Sequence, residues 1–189
     1  MVRELMGHSE YIFGLMDSYP SQSEFIASEE LKEIEKKSID WGWKLKERTE
    51  RLCMVHGDFH PWNVMFHKGT DFTVLDRSRG EYGEAADDVS AMTINYFFFG
   101  LLKTEGNAID RGLKKLYNLF FDTYLEKTCN YELLEIIQQF YAFRWLVVAS
   151  PVWYPNISLD THRKLFNFIK NVLEAKTFEY KEVDGYFEL

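Results

Sequence analysis

The run His56-Gly57-Asp58-Phe59-His60-Pro61-Trp62-Asn63, followed by Asp76 at the end of an apolar stretch, carries the most distinctive chemistry of this chain. An Asp with an Asn five positions on, and a second Asp a short hairpin later, is an acid set suited to metal-assisted phosphoryl transfer. Asp58 can orient a hydroxyl and accept its proton, while Asn63 and Asp76 offer hard oxygen ligands to Mg²⁺. A competing chemistry uses the same residues. His56, Asp58 and His60 alternate, and an HxDxH triplet could present ligands to zinc, with His67 and Asp76 completing a metal-dependent hydrolase site. That alternative leaves Asn63 and the acidic pair Asp87-Asp88 unexplained.

Positioning these groups falls to one short β segment in a largely helical chain. Val64-Met65-Phe66 and Phe72-Thr73-Val74-Leu75 are β-prone runs around a turn containing Gly69, which predicts a hairpin. Asn63 lies at its start and Asp76 at its end, and the two ends of an antiparallel hairpin are neighbours. Helical periodicity predicts elements from Ser28 to about Glu50, through the apolar window Ala91 to Leu102, over Asp110 to Lys127 and over Tyr131 to Ala149. Pro151 stops the fourth, and Asp160 is the expected cap of a last helix burying Leu165, Phe168, Ile169 and Val172. From Lys176 onward no period is readable.

Taken together, His56-Gly57-Asp58 through Asn63, Val74-Leu75-Asp76 and Gly83-Glu84-Ala85-Ala86-Asp87-Asp88-Val89 resemble the aminoglycoside phosphotransferase and choline kinase family. That family has the protein-kinase fold and the approximate pattern HGDxHxxN, apolar-apolar-Asp, G-D-P-x-x-D-L-A. The resemblance implies Asp58 as catalytic base, His56 as support for its loop, Asn63 and Asp76 as ligands of Mg²⁺ and of the nucleotide it carries, and Asp88 as a tie between that loop and the following buried helix. It implies transfer of the γ-phosphoryl of ATP or GTP to a hydroxyl of an aminoglycoside-, choline- or sugar-like acceptor. The corresponding fold is mainly α, a protein-kinase-like C-terminal lobe with one short catalytic β-hairpin, forming a single domain over residues 1–189. Three residues depart from the pattern: Trp62 where a small residue is common, Arg77 where Trp or Phe is frequent, and Glu84 in place of Asp.

The family's nucleotide sits beneath a β-rich N-terminal lobe that supplies a phosphate-binding Lys. The 55 residues before His56 read as helix and loop, and neither GxGxxG nor GxxxxGK[ST] occurs. The expectation is therefore a lobe whose nucleotide-gripping half is missing or belongs to a partner chain, and whose own ATP affinity is weak. A non-catalytic substrate-binding or interaction lobe is the alternative from another class; the intact Asp58, Asn63 and Asp76 argue against it.

Composition narrows the partners. A net charge of -8 argues against a nucleic-acid backbone binder and is compatible with a cationic acceptor. Hydrophobic residues make up 46% of the chain and aromatic ones 17%, enough for a bulky core but with no stretch that spans a bilayer. Cys53 and Cys129 lack zinc or disulfide-framework spacing, and no apolar leader opens the chain, so a reduced, cytoplasmic setting is expected. Three further features read as structural. Trp145, Trp153, Tyr154 and Phe143 form core rather than a cation cage, Glu81, Glu84 and Asp87 form an acidic loop that could also hold an amine, and Glu29 to Lys37 form a solvated helix face.

Overall fold

The computed structural model describes residues 15–20, 23–77, 82–103 and 109–188. In chain order, helix α1 (Ser28–Leu45) leads to strand β1 (Leu52–Met54), then β2 (Val64–Phe66), β3 (Phe72–Val74) and β4 (Tyr82–Glu84). Helices α2 (Ala85–Lys103), α3 (Arg111–Thr128), α4 (Ile137–Ala149) and α5 (Leu159–Glu174) follow, and a 3-10 segment covers Tyr180–Phe187. The protein is mainly helical, as its periodicity requires. No helix among the described residues is long and apolar enough to cross a membrane.

The chain divides into two compact units, one made of the segments up to Arg48 and from Leu134 onward, the other of Thr49–Leu133. In the first, α4 and α5 form the core with α1 alongside. Trp145, Phe168, Ile169 and Val172 are fully enclosed, and the 3-10 tail closes over them. Phe168 lies 4.8 Å from Phe187 and Tyr141 4.9 Å from Phe178, ring centre to ring centre. The tail has no sequence period because aromatic anchors hold it, not a helical stripe. Trp41 of α1 donates its indole N–H to the Leu173 carbonyl at 3.1 Å, so a large ring is buried without stranding its polar atom.

The second unit holds two antiparallel ribbons and two helices. β2 pairs with β3 in the register Val64↔Val74, Met65↔Thr73, Phe66↔Phe72, which is the expected hairpin. β1 pairs with β4, with Cys53 opposite Gly83. Gly83 allows this approach: a Cβ there would meet Val55 Cγ2 at 2.6 Å. Helix α2 is apolar nearly all round, with Ala86, Val89, Ala91, Ile94 and Phe97 buried, so it serves as the central pillar. Phe97 packs on Tyr117 of α3 with centroids 4.1 Å apart. Asp110 caps α3 by accepting the N–H groups of Gly112 and Leu113, both at 3.0 Å, as its short carboxylate favours.

Four sequence expectations change. Helix α1 ends at Leu45 rather than near Glu50, and Thr49–Arg51 form a 3-10 turn into β1. The segment from Tyr131 is a 3-10 turn to Glu135 before α4 starts, because Ile136, at φ -134° and ψ -15°, breaks the helical path. Ser158, not Asp160, caps α5: its hydroxyl accepts the Thr161 N–H at 3.1 Å while Asp160 lies in the first turn. The single expected hairpin is joined by a second two-stranded ribbon, β1 with β4, whose register sets Leu52 opposite Glu84.

Candidate active site

The motif residues lie within the second unit, on loops held by the β2–β3 ribbon and the first turn of α2. Asp88, in that first turn, accepts two backbone N–H groups with one carboxylate, from His56 at 2.6 Å and Gly57 at 2.9 Å. Both bonds are charge-assisted, and the carboxylate also lies at the positive end of the helix dipole. Gly57 follows at φ 84°, a left-handed conformation that glycine takes without steric cost. The loop therefore turns sharply just before Asp58.

His56 is the hub of the site. Its Nε2–H donates to the Leu75 carbonyl at 2.7 Å, and its Nδ1 accepts the Asp58 backbone N–H at 3.3 Å. A carbonyl only accepts and an amide only donates, so these two bonds select the neutral Nε2–H tautomer. One imidazole thus joins the residue before Asp76 to the backbone of Asp58. Both ring nitrogens are committed to the loop and have no lone pair to offer zinc. No cluster of three or more metal-binding side chains occurs among the described residues, and the zinc-hydrolase alternative is set aside on the engagement of His56.

Asn63 closes the loop from the other side. Its amide nitrogen donates to the Asp58 carbonyl at 2.9 Å, and its backbone carbonyl accepts the Leu75 N–H at 2.8 Å. With the nitrogen spent on the loop, the side-chain oxygen is the group left for a cation. Leu75 has both backbone polar groups anchored, one to Asn63 and one to His56. The next residue, Asp76, leaves the ribbon at φ 54°, a region that costs a non-glycine residue about 1 kcal/mol or more. That strain presents an exposed carboxylate beside the end of the ribbon where Asn63 begins it. Two hard oxygen groups are a donor set that fits Mg²⁺, an ion that keeps waters and takes phosphate oxygens for its other positions.

Around this centre, His60 places Nε2 3.7 Å from the Asp58 carboxylate, and its Nδ1 is buried without a hydrogen-bond partner. Trp62 is exposed at the tip of the 3-10 turn Pro61–Asn63. Arg77 donates from Nε to the Val55 carbonyl at 3.2 Å, so it braces the strand entering the loop. His67 bonds the Thr73 hydroxyl across the hairpin at 2.8 Å, away from the acids.

The expected acidic loop is corrected at Glu84. Its carboxylate is 7% exposed and engaged by Arg51, with Nε and Nη2 each at 2.9 Å from a separate oxygen. Arg51 reaches on to Glu132 at 2.8 Å and to the Asn130 amide oxygen at 3.2 Å. Burial acts to lower the Arg51 pKa, but the hydrogen bonds and charge of Glu84, then Glu132, outweigh it and raise it above the ordinary value. Glu84 is therefore a structural partner with no capacity for an amine. Glu81 of the same expected cluster lies outside the described residues. Sequence reasoning missed Arg51, which lies 33 positions from Glu84 in a segment without motif. Burial and the charge of Glu84 also push the Cys53 thiol above its usual range. Trp145 is core as expected, whereas Trp153 is exposed.

No curated protein and no solved structure matches the chain at a significant level. The model of the APH family, described as the phosphotransferase enzyme family, matches residues 16–120, more than half of the chain and the whole of this site. The chain belongs to the phosphotransferase enzyme family.

Proposed function

We propose that this chain is the protein-kinase-like C-terminal lobe, one domain over residues 1–189, of an enzyme that phosphorylates a hydroxyl of a small, cationic molecule. The single observation that carries the reading is the His56 hub, because one neutral ring ties Asp58, the proton acceptor, to the segment that presents Asp76. Asn63 holds the same loop from the opposite side.

In this reading the acceptor hydroxyl is oriented by the Asp58 carboxylate. Its oxygen forms the new bond to the γ-phosphorus of ATP or GTP as the bond to the β–γ bridging oxygen breaks. The proton passes to Asp58 and the nucleoside diphosphate leaves. Asn63 and Asp76 would hold Mg²⁺, which when bound supplies positive charge against the phosphate oxygens. A nucleotide-gripping lobe or partner chain completes the grip on the triphosphate. A cytoplasmic location goes with the supply of nucleoside triphosphate and with the unpaired Cys53 and Cys129.

The test is Asp58→Asn in the full-length protein, assayed for Mg-dependent nucleoside diphosphate release over a panel of amino alcohols and aminoglycosides. Removal of a general base lowers turnover about 10²–10⁴-fold, with the melting temperature unchanged within error. Undiminished turnover in that variant overturns the reading.

A further inference from the structure

Two charged contacts link the two chain segments that meet at the site. Arg51 stands at the entrance of β1, which runs through Met54 into His56, and Glu84 ends β4, which runs into α2 and Asp88. The ribbon sets Leu52, the neighbour of Arg51, opposite Glu84, and Arg51 grips the Glu84 carboxylate. Asp88 in turn grips the His56 and Gly57 amides. The path from Arg51 to Glu84, through the first turn of α2 to Asp88, across to His56 and back along β1 is a closed circuit.

Glu84 immediately precedes α2, and its Oε1 accepts the Ala86 N–H at 3.4 Å. A side-chain oxygen on that N–H is the contact of a helix N-cap, where short Ser, Thr, Asp and Asn side chains serve best. Glutamate carries one more methylene and one more rotatable bond, so its carboxylate has more freedom to lose. Arg51 removes that freedom. Its Nε and Nη2 each donate to a separate Glu84 oxygen at 2.9 Å, a planar two-point contact that fixes both the position and the plane of the carboxylate. Oε1 serves both contacts, accepting from Arg51 Nη2 and from the Ala86 N–H. The guanidinium is anchored in turn by Glu132 at 2.8 Å and Asn130 at 3.2 Å, and the Asn130 amide donates to the Tyr124 hydroxyl of α3 at 3.2 Å. The start of α2 is thereby tied to β1 and to the end of α3.

We propose that Arg51 and Glu84 are positioning residues for Asp58. The pair fixes the first turn of α2, and that turn delivers the Asp88 carboxylate to His56 and Gly57. Those two bonds place the loop that carries Asp58. The pair takes no part in the bond changes and decides only where the base stands. Its catalytic consequence rests on the phosphoryl-transfer reading, whereas its effect on the loop does not. Release of the clamp moves the base out of line with the acceptor hydroxyl, while Asn63 and Asp76 keep their own anchors on the β2–β3 ribbon. The loss therefore falls on kcat more than on KM.

Proton–nitrogen NMR of the full-length protein tests this with two mild variants. Arg51→Lys keeps the charge but not the two-point contact, and Glu84→Gln keeps the length and one acceptor but not the charge. Asp88→Asn calibrates the readout, since it removes the charged acceptor from the His56 and Gly57 amide protons. At a temperature where circular dichroism shows each variant folded, those two protons move in the direction that Asp88→Asn moves them. The amide protons of the buried Ala91 and Ile94 of α2 stay where they are. A pair that only adds global stability leaves all of these folded-state shifts unchanged. Turnover is read as Mg-dependent nucleoside diphosphate release on the best acceptor among the amino alcohols and aminoglycosides. In both variants kcat falls about tenfold, with KM within about twofold of wild type. Where one variant fails to fold, the other carries the test. Unmoved His56 and Gly57 amides overturn the proposal, and so does wild-type kcat in both variants of a protein whose Asp58→Asn form is inactive. If the amides move but Asp58→Asn keeps full turnover, phosphoryl transfer through Asp58 fails and the clamp stands.

Discussion

The Asp88 carboxylate lies 2.6 Å from the His56 backbone nitrogen, and this one contact joins the first turn of α2 to the loop that carries Asp58. The second oxygen of the same carboxylate takes Gly57. Helix α2 is largely buried, and through Asp88 it anchors the loop that carries Asp58. From there His56 passes the constraint on to Leu75, and so to Asp76.

Removing this brace has a predictable cost. Asp88→Ala strands two backbone N–H groups at a partly buried position and destabilises the protein by about 2–4 kcal/mol, read by urea denaturation. Asp88→Asn keeps one acceptor but turns an N–H toward an N–H, so its cost falls between wild type and Ala. Both variants lose turnover at temperatures where they are still folded, because the loop carrying Asp58 is no longer fixed. A variant with wild-type stability would show that the two bonds are not what holds the loop.

The Arg51–Glu84 pair makes a second, independent prediction. Both side chains are under a tenth exposed, and breaking such a pair leaves a buried charge without its partner. Arg51→Ala costs about 3–5 kcal/mol. The double variant Arg51→Met with Glu84→Met is less destabilised than the sum of its two single changes, since neither charge is left alone. Strict additivity in the denaturation midpoints would show that the pair is not coupled.

A third prediction concerns acid. Glu30 accepts from Lys170 at 2.9 Å and from the Ala27 backbone N–H at 3.2 Å. The Lys170 hydrogen bond first, then the backbone bond, lowers its pKa from 4.5. A carboxylate depressed in the folded state adds stability above its unfolded pKa, and that stability is lost as pH falls through the folded one. The window therefore opens near pH 4.5 and extends below it. Glu30 is 45% exposed, so solvent screening keeps the contribution under about 1 kcal/mol. Glu30→Gln should remove this part of the acid sensitivity of the melting temperature and leave neutral-pH stability lower by no more than that amount. A Glu30→Gln protein that melts like wild type at pH 7 and retains the full acid slope would exclude the linkage.

Much of the framework is legible in the chain because it depends on local rules. The apolar periods locate α1, α2, α3 and α5, and the β-prone runs around Gly69 locate the β2–β3 ribbon. The ends of elements are read less well. Asp160 and Ser158 are both good caps, and only the backbone path chose the serine. The Tyr131 segment has a helical pattern, yet Ile136 interrupts it where the chain must reorient before α4. By sequence Glu84 reads as part of a solvated acidic loop, because charge alone says nothing about who stands opposite.

The sequence by itself determined which candidate groups its motifs carry: Asp58, Asn63 and Asp76, with His56 and Asp88 at fixed spacing around them. It also determined the hairpin that brings Asn63 near Asp76, since antiparallel pairing makes neighbours of residues a turn apart. Only the tertiary structure decided what each group faces. It put both nitrogens of His56 to work, fixed its tautomer, held Asp76 in a left-handed conformation, buried Glu84 against Arg51 and left Trp62 open to solvent. Spacing along a chain sets local geometry, but burial and partnership depend on segments tens of residues away, which no local pattern encodes.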